Sequence, residues 1–353
     1  QTVADSLPMI AIPREGTVTR LVGRLRSLST VGVAVALLTT VVAGQNPPGR
    51  SGAASSASQR TPWGHPDLQG NWTNTTTTPL ERPADLEGKS TLTDAERRAA
   101  DAEAVKNADS RPRPGDTGAY NTVWFERGRT SVQTSLIIDP QNGRLPPLTP
   151  LGQAHRKQLD ANRVEDGGRP PDSYEDFDTY DRCISRALPG AMMPGFYNHN
   201  YQIIQTPTYV VIHVEMIHDA RVIPLDKRPR LPSQLRQWLG DSRGYWEGET
   251  LVVETRNFKE GAEERGMANT VVGGSPDMVL VERFRRLDDS NLDYRFTVND
   301  PTIFTAPWTV AAPMTKLDGQ IFEYACHEGN YSMANMLKGA RADEQFRAKE
   351  GKK

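Results

Sequence analysis

Short apolar segments rich in β-branched and aromatic residues occupy most of the chain after residue 130, and turn-forming residues separate them. Such segments are typical of β-strands, and the intervening Gly, Pro, Asp and Asn residues are typical of turns. The predicted strands are 131–138, 201–205, 209–217, 221–225, 250–258, 278–287, 292–298, 308–314 and 321–326. Because the spacings are too short to hold crossover helices, neighbouring strands are predicted to be antiparallel.

About ten strands in meander order predict a mainly β fold in which the sheet curls and closes into an antiparallel barrel. A long open sheet would leave unpaired backbone groups at its edges, and closure removes those edges. No repeat of 20–50 residues is visible, which disfavours a propeller. Peripheral helices are predicted where helix-forming residues dominate, at 94–107, 151–162 and 332–348, the last packing through Met333, Met336 and Leu337.

The start of the chain has the pattern of a secretory signal peptide. Basic residues precede an uncharged run at 27–43, and Val41-Val42-Ala43 fits a cleavage site. A membrane anchor is the alternative, but the run is marginal for spanning a bilayer even with its Ser and Thr residues counted. We therefore expect a periplasmic or extracellular protein, with no stable membrane insertion once the leader is removed.

The predicted domain organisation follows from these segments. It consists of a signal peptide at 1–43, a flexible tether at 44–66, a barrel domain at 67–328 with helical insertions near 93–107 and 150–162, and a C-terminal helix and tail at 329–353.

Charge and composition exclude some partners. Among 353 residues, 42 Lys and Arg nearly balance 44 Asp and Glu, giving a formal net charge of −2. Without an excess of basic residues to neutralise phosphates, a nucleic-acid partner is not expected. The 37% of hydrophobic residues suffices for a core. The sequence leaves the oligomeric state open.

The chain contains two cysteines, Cys183 and Cys326. In an exported protein such a pair favours one intramolecular disulfide. The alternatives are a catalytic thiol or a metal ligand, the latter suggested by the triplet Cys326-His327-Glu328.

Two resemblances concern the fold. Leu68-Gln69-Gly70-Asn71-Trp72 resembles the Gly-x-Trp first strand of lipocalin-like (calycin) barrels, in which the Trp closes one end, and this resemblance implies a lipocalin-like barrel. A second resemblance is to a family of uncharacterised exported bacterial proteins. It rests on the segments 66–72, 139–148 and 238–255, and the last of these reads Trp-Leu-Gly-Asp-Ser-Arg-Gly-Tyr-Trp-Glu-Gly-Glu-Thr-Leu-Val-Val-Glu-Thr. The resemblance spans roughly 62–341, implies a single exported unit, and supplies no activity; Glu249 stands where that family usually shows Asp.

The segment His213-Val214-Glu215-Met216-Ile217-His218 does not fit a zinc protease. That motif needs two His four residues apart on a helix, with Glu beside the first, whereas here the spacing is five and the segment continues a strand. On a strand, Tyr209, Val211, His213 and Glu215 share one face. With a three-residue loop at 206–208, Tyr201 would lie opposite His213 and His199 opposite Glu215; a two-residue loop would put the two sets on opposite faces.

If the faces coincide, a polar cluster forms that suits acid–base chemistry on a substrate next to a carbonyl or uronate. The candidate catalytic residues are His199, Tyr201, His213, Glu215 and Arg221, and the candidate ligand-binding residues are Asn198, Tyr209, Arg243 and Trp246. No cofactor is predicted; two His and a Glu offer ligands for a divalent metal, which is not favoured. The alternative is solvated residues or a hydrogen-bond network that fixes the barrel.

The sequence thus predicts an exported barrel that binds a small molecule or glycan in an apolar cavity beside a His/Tyr/Glu cluster. One alternative is a metal-independent lyase or hydrolase acting on a glycan or aromatic glycoside. Another is a structural or interaction domain, which would follow if side chains fill the cavity. The fingerprints of P-loop, α/β-hydrolase and dinucleotide-binding proteins are not found.

Overall fold

The computed structural model of the protein describes residues 59–108, 126, 128–162, 164, 170–260 and 274–350. The predicted signal peptide and most of the predicted tether lie outside these residues. Within them, the three α-helices are α1 (Asp94–Ala108), α2 (Pro150–Asn162) and α3 (Ser332–Glu350). The strands are β1 (Gly70–Thr73), β2 (Ile137–Asp139), β3 (Asn200–Gln205), β4 (Tyr209–Val214), β5 (Ala220–Pro224), β6 (Asp241–Glu247), β7 (Thr250–Arg256), β8 (Val279–Arg286), β9 (Asn291–Asn299), β10 (Trp308–Ala311) and β11 (Met314–Lys316).

The eleven described strands form one antiparallel sheet in the order β5-β4-β3-β1-β11-β9-β8-β7-β6, with β10 placed between β9 and β2. The sheet is nearly closed into a barrel, because β5 and β6 at the two ends of this order lie against each other. Gly244 in β6 permits the approach, since a Cβ there would come 2.8 Å from Leu225 and 2.9 Å from Ile223. The predicted fold class, a mainly β barrel with peripheral helices, is confirmed.

Four segments differ from the sequence expectation. Of 131–138, only the end joins the sheet as β2, because the preceding residues bond to loop backbone such as Pro79 and Ser90. The strand predicted at 308–314 is split into β10 and β11 before Pro313, which has no N–H to donate. Residues 321–326 form no strand, since β11 already has β1 and β9 as neighbours.

The fourth difference is β6, which the sequence did not predict as a strand. Its Asp, Ser, Gly and Glu residues have low β-propensity, and pairing with β7 along its whole length overrides this preference. Residues 59–66, assigned to the flexible tether, instead form a turn in which Arg60 bridges Pro66 and pairs with Glu249.

One end of the barrel, called here the Trp72 end, is closed by apolar and hydrogen-bonded groups. Trp72 is fully buried, and its Nε1 donates to the Leu68 carbonyl at 3.0 Å. The Arg286 guanidinium lies over the Trp72 ring, 5.7 Å from its centroid, and donates to the Asp67 carbonyl at 2.9 Å. The backbone of the first strand is thereby fixed to the end of β8.

Side chains fill the barrel interior. Inward-facing residues from strands all around it, including Tyr201, Ile212, Leu251, Phe284 and Trp308, have no accessible surface. Walls of an internal cavity would retain surface towards it, so no cavity of molecular size lies among these residues. The apolar cavity expected inside the barrel is therefore not formed among these residues.

The predicted disulfide is confirmed: Cys183 and Cys326 are joined, 143 residues apart in sequence. It ties the segment before β3 to the segment after β11. In α3, Met333 and Leu337 are half-buried as expected, whereas Met336 is mostly exposed and Ala340 is the buried residue. Among the residues described above, no helix is both long and apolar enough to cross a bilayer.

Candidate functional site

The end of the barrel opposite Trp72, called here the His199 end, contains strained backbone. Six described non-glycine residues have a left-handed φ, and five of them lie between positions 183 and 218: Cys183, Ala187, Asn198, Ile217 and His218. The conformation is unfavourable for side chains with a Cβ, most of all for β-branched Ile217. Strain of this kind is kept only where surrounding structure enforces it, and it concentrates at functional sites.

His199 is buried at this end with both ring nitrogens engaged. Nδ1 lies 2.8 Å from the Met193 carbonyl and Nε2 lies 3.0 Å from Nη1 of Arg186. Because a guanidinium only donates, Nε2 accepts and the proton is on Nδ1. Burial, reinforced by the Arg186 charge, lowers the pKa of His199 to about 3. The imidazole is therefore neutral near pH 7 and holds the 183–199 segment in place, which does not suit a proton-transfer role.

Two carboxylates meet on one amide beside His199. The Asn200 Nδ2 lies 2.9 Å from Glu126 Oε1 and 2.6 Å from Glu215 Oε2. Glu215 is 1% exposed, and its other oxygen accepts from the Phe322 backbone N–H at 3.0 Å. Glu126 is exposed, yet partial burial of its carboxyl group and the nearby Glu215 charge raise its pKa, against the hydrogen bond from Asn200.

The register of the β3–β4 hairpin separates the predicted catalytic residues. Tyr201 pairs with Val214, and Gln202 pairs with His213, so the loop has two residues rather than three. Tyr201 points into the barrel, where its hydroxyl lies 3.2 Å from the Asn74 side chain. His213 lies on the outer face and is half-buried. The structure therefore does not bring His213 together with Tyr201, and the condition for a joint acid–base cluster is not met.

Arg221, the fifth predicted catalytic residue, belongs to the barrel interior. Its side chain is 1% exposed and makes two hydrogen bonds with Glu282, one of them 2.9 Å long, while the Tyr294 hydroxyl donates to the same carboxylate at 2.9 Å. Burial alone would lower the pKa of Arg221, but the Glu282 charge reverses the effect and raises it. This set crosses the barrel from β5 to β8 and β9, where no substrate reaches it.

A groove of about 550 Å³ opens at the His199 end, called here the disulfide groove. Its lining around the Cys183–Cys326 bridge includes the half-buried residues Tyr180, Asp181, Tyr197, Asn198 and Tyr324 and the exposed residues Glu323, Glu328 and Asn330. The lining contains no Lys or Arg among the described residues. Tyr197 and Tyr324 meet edge to face, with ring centroids 6.1 Å apart.

Of the four predicted ligand-binding residues, the structure places Asn198 in this groove and the other three elsewhere. Tyr209 bonds to Arg228, whose guanidinium lies 5.0 Å from its ring centroid. Arg243 pairs with Asp241 on β6. Trp246 is half-buried with its ring centroid 5.3 Å from that of His65.

Sequence reasoning missed Tyr180 and Tyr324 of the groove and the Glu126–Asn200 contact. The disulfide prediction alone would have pointed to this region, because it joins the segments that carry Tyr180 and Tyr324. In the part of the chain that the structure describes, no three His, Cys, Asp or Glu side chains are grouped to hold a metal ion.

Comparison of the chain with known protein families, with curated proteins and with solved structures finds no match. The resemblance to uncharacterised exported proteins stays a prediction.

Proposed function

We propose that the protein binds a small molecule in the disulfide groove, outside the filled barrel. The observation that carries this proposal is the coincidence of the groove with the left-handed backbone of Cys183, which is unfavourable for a residue with a Cβ. Strain located at a concave surface with aromatic and polar walls is the usual signature of a ligand site.

The lining indicates the chemistry of the ligand. Tyrosine rings offer flat apolar faces with a polar edge, and carboxylates and amides bind hydroxyl or amino groups. The carboxylates Asp181, Glu323 and Glu328 outnumber the one guanidinium beside the lining, that of Arg186 over the Tyr180 ring, and disfavour anions. A neutral or amine-bearing glycan fits this surface, whereas a uronate does not.

Calorimetric titration of the full chain with neutral, amine-bearing and uronate oligosaccharides tests the proposal. We expect binding of a neutral or amine-bearing oligosaccharide that weakens about tenfold or more in Tyr197→Ala, because stacking and apolar contact are lost. Tyr245→Ala, an exposed tyrosine on the outer face of β6, is the matched control and should leave binding unchanged. Equal binding of these oligosaccharides by wild type and Tyr197→Ala contradicts the proposal, as does uronate binding that Tyr197→Ala weakens.

The proposal includes export, because a disulfide is maintained in oxidising compartments. Cell fractionation of the full-length chain, with the mature N-terminus sequenced, should find the protein outside the cytoplasm and cleaved after Ala43.

Acid–base catalysis is the second candidate function, and Glu126 is the residue that favours it. Its exposed carboxyl with a raised pKa, beside buried Glu215, is the arrangement of a general acid. Glu126→Gln should abolish any turnover of aromatic glycosides, whereas Glu247→Gln, an exposed glutamate of β6, should leave it unchanged. If neither protein nor variant turns over these glycosides, the binding function stands alone.

A further inference from the structure

A second groove contains a buried arginine, Arg82, that pairs with no acidic side chain among the described residues. Arg82 is 7% exposed, and its Nε donates to Thr134 Oγ1 at 2.9 Å. Within the described part of the chain, no carboxylate lies at ion-pair distance from Arg82. Arg221, buried to a similar degree, has Glu282 as its counter-charge. A buried guanidinium without a counter-charge is costly, so the difference points to an anion that the described residues do not supply.

Arg82 lines a groove of about 740 Å³, called here the Arg82 groove, whose other walls include Arg144, Gln133, Gln141, Asn142 and Glu87. The Gln133 and Gln141 side chains make no hydrogen bond with any described residue, so their amides are available to a ligand. Glu87 is exposed and, among the residues described, forms no ion pair with either arginine. Two cations and several amide donors thus face one carboxylate, opposite to the balance in the disulfide groove.

The turn at 139–144 positions this surface. Gly143 has φ 71°, its N–H donates to the Pro140 carbonyl at 2.9 Å, and its carbonyl accepts from the Arg82 N–H at 2.7 Å. A Cβ at Gly143 would come 3.0 Å from a guanidinium nitrogen of Arg82 and closer still to Ser135 Oγ. Glycine is therefore required for the turn to lie against Arg82 and keep its guanidinium in position.

We propose that the Arg82 groove binds a small molecule through an oxyanion, that is, a carboxylate, phosphate or sulfate group. The planar guanidinium fork of Arg82 pairs with two oxygens of such a group, and Arg144 supplies a second charge from the turn. The amides of Gln133 and Gln141 donate to the remaining oxygens. This site is separate from the disulfide groove and does not depend on the function proposed above.

Calorimetric titration of the full chain with inorganic phosphate and with D-glucuronate tests the proposal and separates the two oxyanion sources. We expect saturable binding of at least one probe. Arg144→Gln should weaken it about tenfold through the loss of one charge, and Arg82→Lys should weaken it similarly, because lysine has no bidentate fork. Arg285→Gln, which removes a surface arginine paired with Asp293, is the matched control and should bind as wild type does.

Binding of phosphate alone identifies a phosphoryl or sulfate ligand, and binding of glucuronate identifies a carboxylated one. The absence of saturable binding at millimolar concentrations of either probe overturns the proposal, as does binding that both groove variants leave unchanged. Circular dichroism checks that each variant is folded. Arg144 is half-buried on a surface turn, so its variant decides the test even if Arg82→Lys does not fold.

Discussion

The two ends of the barrel solve the problem of closure in different ways. At the Trp72 end, an indole, a cation above its ring and main-chain hydrogen bonds close the barrel, and no described non-glycine residue there has a left-handed backbone. At the His199 end, buried polar side chains, a disulfide and strained residues take the same place. A protein that needed closure alone could have used the first solution twice. The left-handed residues of the second solution cost stability, and residues of this kind concentrate at functional sites.

Removal of the disulfide should give the largest effect and should affect the two ends unequally. Replacing both Cys183 and Cys326 with Ser releases a loop of about 143 residues, worth about 4–5 kcal/mol of unfolding free energy by chain entropy. Denaturant unfolding measures the loss. Hydrogen exchange should be accelerated more for amides at 183–199 and 215–218 than for those of β1 and β8 beside Trp72. Equal acceleration at both ends would contradict the distinction drawn here.

Lowering the pH should reduce the free energy of unfolding through His199. The expected loss is smaller than that from removing the disulfide and larger than the effect of relieving backbone strain. The pKa is about 3 in the folded state and about 6.5 when unfolded, so the unfolded state binds the proton first as pH falls. The contribution of His199 is complete above pH ~6.5 and is lost towards pH ~3 at about 1.4 kcal/mol per unit. Unfolding free energies measured from pH 7 to 4.5 should decline less steeply for His199→Gln than for wild type.

His213→Gln is the matched control for this experiment, because it removes an imidazole from the outer face of the adjacent strand. Its pH dependence should follow that of wild type. If the two variants have the same slope, the buried imidazole is not the group that weakens the His199 end in acid.

Relief of backbone strain should give the smallest effect, with a sign opposite to that of the usual glycine substitution. Ala187 has φ 51° and is fully buried, so Ala187→Gly removes an unfavourable conformation and should raise stability by up to about 1 kcal/mol. Ala191→Gly, four residues further on without a left-handed φ, should instead lose about 0.5–1 kcal/mol. Thermal unfolding of both variants measures the difference. Destabilisation by both would mean that strain at position 187 is negligible.

Local patterns sufficed for much of the fold. β-branched segments and turn residues predicted seven of the strands to within a few residues, as at β3, β5 and β9, because each such segment pairs with a neighbour close in the sequence. Predictions failed where strand pairing depends on residues far away in the sequence. Residues 321–326 form no strand because β11, the strand before them, is already paired with β1 and β9. β6 was missed for the converse reason, since pairing with β7 imposes a strand on residues with little preference for one.

The site was less predictable than the fold because it depends on register and on long-range proximity. One residue in the loop at Pro207 decided whether His213 faced Tyr201, and sequence does not determine loop length. Tyr180 and Tyr324 lie 144 positions apart and share a groove only through the disulfide. Arg82 was not predicted as a binding residue, because its burial beneath the 139–144 turn depends on tertiary packing.

The Arg221–Glu282 pair has a consequence for how the barrel assembles. It joins β5, at one end of the strand order, to β8, near the other end. Both side chains lie in a mostly apolar interior. If the two halves of the barrel paired with a register shifted by one residue, one of these side chains would point outward. The other would stay buried without a partner. A barrel with the shifted register would be less stable by several kcal/mol at least. The Arg221–Glu282 pair therefore favours the correct register between the two halves.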